Sequence, residues 1–104
     1  MIDQNTIDAL KAKHGPDLTL LECEGVEIVC KPVDLGLYRI FKRKANDDTA
    51  RATAGEDLLF GVMVYPERDA LFSAVRGRPF LIEHFANEVV REASALAQAR
   101  SKKL

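Results

Sequence analysis

The sequence predicts an α+β chain that is mainly α, with an N-terminal β-hairpin followed by a compact bundle of about four helices. Three observations lead there. The stretch LTLLECEGVEIVCK alternates apolar and polar residues around a central Glu24-Gly25, which is strand periodicity around a turn. From residue 34 onward the apolar positions recur three and four apart, which is helical spacing. Finally, 104 residues with 47% apolar and 30% charged content make one domain with a single modest core.

The first segment, residues 1–16, is polar and short. Asn5 and Thr6 are both candidate caps for a helix through about Lys13, with Ile7 and Leu10 inward and Gly15-Pro16 as its stop. A helix this brief is expected to fray. Residues 17–32 form the hairpin. Gly25 supplies the positive φ of a two-residue turn, so Cys23 faces Val26, Leu21 faces Ile28 and Thr19 faces Cys30 on one apolar side. Glu22 then faces Glu27 on the other side, a mildly unfavourable pair that suits an exposed outer face. A lone hairpin is marginal in water, so the apolar side calls for a helix or a second copy of the chain.

Residues 34–100 are expected to form the helical part, in several pieces. Pro32 ends the second strand and Asp34 is placed to cap a helix starting at Leu35, whose Leu37, Tyr38, Ile40 and Phe41 are spaced as an apolar stripe. A break near Asn46 precedes a resumed helix that carries Leu58, Leu59, Val62 and Met63 and ends at Val64 or Tyr65. Pro66 cannot continue that helix and suits the start of the next, which carries Leu71, Phe72 and Val75. Gly77 and Pro79 repeat the stop and restart. The last helix runs from near Phe80 to about Arg100, with Ile82, Phe85, Val89, Ala93 and Leu96 on one face, widened by Ala86, Val90 and Ala97. The alanines allow a neighbouring helix to come close.

Composition narrows the function classes. A net charge of -1 gives no bulk attraction to nucleic acid or a membrane. No stretch approaches the roughly 20 apolar residues that span a bilayer, and the start MIDQNTIDAL lacks a basic region followed by an apolar one, so a cytoplasmic protein is expected. Cys23 and Cys30 each sit in an apolar run, where a small buried thiol is the usual occupant. His14 and His84 have no carboxylate or cysteine at metal-ligand spacing. There is no GxSxG, P-loop, GxGxxG, HExxH or CxxC. The expectation is a protein that is not an enzyme, with no cofactor, no metal and no catalytic residues. Arg39, Lys42, Arg43 and Lys44 form a basic cluster that could touch nucleic acid, but without interleaved exposed aromatics a solvated face is preferred.

The order of elements resembles the small tail assembly chaperones of long-tailed bacteriophages. The resemblance covers about residues 18–97. It rests on a proline after the second strand followed by an aromatic-bearing helix (Pro32, Tyr38, Phe41), on a Val64-Tyr65-Pro66 element ending an apolar helix, and on Arg78-Pro79 before the last helix. It implies a non-enzymatic role: coating the tape measure protein in the bacterial host cytoplasm so that it stays soluble while tail tube subunits polymerise around it. Such a protein is encoded by a phage or prophage, is absent from the finished particle and has the tape measure protein as its partner, with the tail tube protein as a further one. The wide apolar faces also suit self-association. Tyr38, Phe41, Tyr65 and Phe72 are the candidate partner-binding residues, against the competing account that all four lie in the core. Two other functions stay open: a tail completion or connector protein that remains in the virion, and a nucleic-acid-binding regulator using the basic cluster.

Overall fold

The computed structural model describes residues 2–94 and 103. In chain order it contains α1 (Gln4–His14), β1 (Thr19–Cys23), β2 (Val26–Cys30), α2 (Leu35–Ala45), α3 (Arg51–Val62), β3 (Met63–Tyr65), α4 (Arg68–Ala74) and α5 (Phe80–Ser94). The fold is α+β, with the hairpin ahead of four helices, as the periodicity predicts. Leu96, Ala97 and the expected end of the last helix near Arg100 lie outside the described residues. Among the described residues no helix is long and apolar enough to cross a membrane.

The hairpin takes the predicted register, with Thr19 opposite Cys30, Leu21 opposite Ile28 and Cys23 opposite Val26. Its turn places both Glu24 (φ 50°) and Gly25 (φ 83°) in the left-handed region, which is the turn that matches the twist of paired strands. The Glu22 carboxylate accepts the Gly25 N–H at 2.8 Å, and Glu27 accepts the Ile2 N–H at 2.9 Å. The facing glutamates are therefore each held by a backbone donor.

Two sequence expectations fail here, for one reason. Met63–Tyr65 is not the end of a helix but a third strand, so the part that begins at residue 34 is not made of helices alone. This strand pairs antiparallel with β2 and gives the sheet order β1-β2-β3. Just before it, Lys31 N–H donates to the Val62 carbonyl at 2.9 Å. The unpaired donors and acceptors along the β2 edge are satisfied by turning the chain out of the helix. The Tyr65–Pro66 peptide is cis. The outer sheet face is not left open either. Val29 is buried, and a cavity of about 170 Å³ between that face and α1 is lined by Ile7, Leu10, Leu20 and Val29. The cap of α1 is Asp3, not Asn5 or Thr6: its carboxylate accepts the Thr6 N–H at 2.7 Å, and that bond holds the Asp3 carboxyl below its ordinary range.

The inner sheet face meets the helices. Leu21, Val26, Ile28 and Cys30 join Leu58, Leu59, Val62, Leu71, Val75, Leu81, Phe85, Ala86 and Val89 in one core, and α5 packs on both α3 and β1. The apolar side of the hairpin is thus covered from within the chain and makes no demand for a second copy. Asp34 caps α2 as expected, accepting the Leu37 N–H at 2.8 Å. After the break at Asn46, the Asp47 carboxylate accepts both the Thr49 hydroxyl and its N–H, at 2.7 and 2.8 Å, which shapes the turn into α3.

Candidate protein interaction surface

Helix α2 packs against α3 and, among the described residues, has no other extensive neighbour. Leu37 lies over Gly61, where a Cβ would meet its Cδ2 at 3.4 Å. One turn or two further along, Lys44 Nζ binds Asp57 Oδ2 of α3 at 2.9 Å. These two contacts set the helices antiparallel. Not one residue of α2 is fully buried. Leu37 and Phe41 rest partly buried against the core, while Leu35 and Ile40 are 62% and 41% exposed.

On another side of α3 stands α5. Gly55 lets the two approach: a Cβ there would sit 3.8 Å from both Ala86 Cβ and Val90 Cγ2. Because α2 and α5 flank α3 without closing over it, an open groove of about 580 Å³ runs between them. Phe41 and Ala45 of α2 form one wall, Ile82, Ala86 and Val90 of α5 the other, and Ala54 and Gly55 the floor. From Ile82 to Val90 the wall is about 12 Å long at 1.5 Å per residue, which accommodates roughly two turns of a helix. The small residues of the floor let a third backbone come close. Glu83 of α5 and Arg51 of α3 also line the groove.

The four residues singled out from the sequence fall in three places. Tyr38 and Phe41 are neighbours on α2, with ring centroids 6.2 Å apart, and Phe41 enters the groove. Tyr65 sits in β3 beside a shallow pocket of about 290 Å³ that Ile2, Ala70 and Ala74 share. Phe72 of α4 is 42% exposed and meets Phe60 edge-on at 5.7 Å, with the Arg68 guanidinium 4.4 Å from the Phe60 ring centre. None of the four reaches core burial. Only the first two share one surface. Sequence reasoning missed the groove floor and the Phe60–Arg68 pair. The run Ala52, Ala54, Gly55 was the visible trace of the floor, but its partner helix depends on tertiary packing.

Among the described residues the titratable groups form no comparable centre. Burial, reinforced by the negative charge of Glu92, pushes the Cys30 thiol up to about 12, so it stays protonated and unreactive near neutral pH. Cys23 and Cys30 are both free and lie at opposite ends of the strand pairing. Among the described residues no three His, Cys, Asp or Glu side chains gather where they could hold a metal ion. Of the basic cluster, Lys44 is tied to Asp57, and Arg39, Lys42 and Arg43 stand exposed.

No protein-family model matches the chain, and no curated protein matches it significantly. A solved structure of an uncharacterised protein from Bacillus stearothermophilus is similar, with a TM-score of 0.65 and 24% identity over 93% of this chain and 99% of that one. At that identity the likeness establishes the fold alone.

Proposed function

We propose that this protein is a non-enzymatic assembly chaperone that binds a helical, apolar segment of a partner chain, and that the partner is a tape measure protein of a long-tailed bacteriophage. The observation that carries this reading is the open groove between α2 and α5, about 580 Å³ in volume, where Phe41, Ile82 and Val90 stand over a floor of small residues, with Arg51, Glu56, Glu83 and Asn87 also on the lining. A helix laid there buries its own apolar face as it covers Phe41, Ile82 and Val90. A long, apolar helical protein waiting for tube subunits needs that cover, because exposed apolar stripes otherwise associate with one another. The choice of partner, and of the cytoplasm of an infected bacterium as the place of action, draws its support from the sequence resemblance in the Val64-Tyr65-Pro66 and Arg78-Pro79 elements.

Co-expression with a tape measure protein tests the proposal. The soluble yield of that partner should rise, and the two chains should co-purify. Ile82→Glu, which puts a charge on the groove wall, should abolish both effects while leaving the helical circular dichroism intact. An insoluble tape measure protein in the presence of the wild-type chain refutes the reading. Recovery of this chain at stoichiometric amounts in purified particles would instead make it a structural tail component.

A further inference from the structure

The sheet order β1-β2-β3 leaves β1 with a strand on one side only. Which of its backbone groups are free follows from the hairpin. The residues flanking a two-residue turn, Cys23 and Val26, form a hydrogen-bonded pair, and such pairs recur at every second position, at Leu21–Ile28 and Thr19–Cys30. The N–H and C=O groups of Leu20 and Glu22 therefore point away from β2, and among the described residues no backbone group pairs with them. The same alternation turns Val29 of β2 toward Tyr65 of β3, so one edge of the hairpin is used and the other is not. Neither a proline nor a lysine blunts β1, and Leu20 is 48% exposed. Beside this edge lies an open cleft of about 310 Å³ between residues 20–23 and His84, Phe85 and Glu88 of α5, which gives a further strand room to approach.

We infer that the occupant of this edge is β1 of a second copy of the chain, added antiparallel across a two-fold axis so that the two sheets become one. Free groups on alternate residues permit few registers. Opposing Leu20 to Leu20 of the second copy lets the two residues exchange both hydrogen bonds and presses two exposed leucines together. It also sets Glu22 opposite Leu18 of the second copy. Leu18 and Leu20 line the outer-face cavity together with Lys11 of α1, an exposed cation that has no ion-pair partner among the described residues. One carboxylate oxygen of Glu22 accepts the Gly25 N–H, and the other is free to meet that lysine. Symmetry makes the ion pair twice. The alternative register, Leu20 against Glu22, sets a carboxylate over each leucine instead. On the inner side the chosen register brings Asp17 of the second copy toward the cleft, where Glu88 is already paired with Arg91 and His84 is left to face the incoming carboxylate. A strand of five residues makes an interface at the weak end of the range for specific complexes, so the dimer forms and dissolves with concentration. The inference does not depend on the groove between α2 and α5.

Sedimentation velocity from micromolar to near-millimolar concentration reads the association. The wild type should move from monomer to dimer mass. Leu20→Pro removes an N–H that the folded chain does not use, at an edge position where proline is tolerated, and should stay monomeric with the native circular dichroism. Glu22→Lys and Lys11→Glu should each weaken the dimer about tenfold, since two exposed ion pairs become repulsions, and the double variant should restore it. Ile82→Glu, in the groove, should leave the dimer unchanged. A wild type that stays monomeric throughout overturns the inference. So does a dimer that survives Leu20→Pro, a double variant no tighter than the single ones, or a dimer that Ile82→Glu dissolves. Should Leu20→Pro fail to fold, the charge reversals decide the matter by themselves. If the wild type is monomeric and Leu20→Pro abolishes its effect on the soluble yield of a tape measure protein, the edge serves that partner and the inference falls while the proposed function stands.

Discussion

A methyl group added at Gly55 should stabilise the protein, although the position lies where two helices touch. Gly55 is inside α3, where glycine costs roughly 0.5–1 kcal/mol relative to alanine through the freedom it has in the unfolded chain. The added Cβ would lie 3.8 Å from both Ala86 Cβ and Val90 Cγ2, an ordinary van der Waals separation, so it gains contact without displacing a neighbour. The expected gain is about 1 kcal/mol. Unfolding entropy of about 2.1 cal/mol/K per residue over 104 residues converts this to a rise in Tm of about 4–5 °C. Gly25 is the opposing control. Nothing lies within 4 Å of a Cβ there, but φ is +83°, and Gly25→Ala should lose about 1 kcal/mol to backbone strain. Thermal melts followed by far-UV circular dichroism read both variants. A lower Tm for Gly55→Ala, with the native spectrum retained, would refute the α3–α5 packing described above.

Two further expectations concern single side chains. Because burial raises the Cys30 thiol to about 12 from an ordinary 9.0, both folded and unfolded chains keep the proton below about pH 9 and pH has no effect through this group. Between about pH 9 and 12 the unfolded chain alone loses it, so stability should fall as pH rises, by up to about 1.4 kcal/mol per unit. Denaturant titrations should show a shallower alkaline decline in Cys30→Ala, and thiol labelling of the native wild type should modify the half-buried Cys23 first, with Cys30 following only on unfolding. Neighbouring residues on α4 should behave very differently on truncation. Leu71→Ala, at a fully buried site, should cost about 2–5 kcal/mol. Phe72→Ala removes an edge contact with Phe60 from an exposed position and should cost about 1.5 kcal/mol or less. Urea unfolding compares them, and an equal loss for both would show Phe72 to be part of the core.

What local chemistry determined was legible in the residues. The hairpin register follows from a period of two around Glu24-Gly25, because slipping one residue would turn every apolar side chain to the wrong face. Asp34 capping α2, the break at Asn46, the restart of helix after Pro66 and the stop at Gly77-Pro79 are set by side chains or rings acting within a few positions. On the candidate surface, Tyr38 and Phe41 were legible because helical spacing alone makes them neighbours. Tertiary structure decided the rest. Met63–Tyr65 continues the helical spacing of α3, and becomes a strand because β2, more than thirty residues earlier, presents an edge whose hydrogen bonds need partners. Burial of Val29 required α1 to fold back over the sheet, and the pairing of Phe72 with Phe60 required α4 to return onto α3. The groove exists only because α2 and α5 settle on different sides of one helix. A sequence specifies the periodicity and the turns of each segment, since those act over a few residues; which faces remain open depends on where distant segments come to rest.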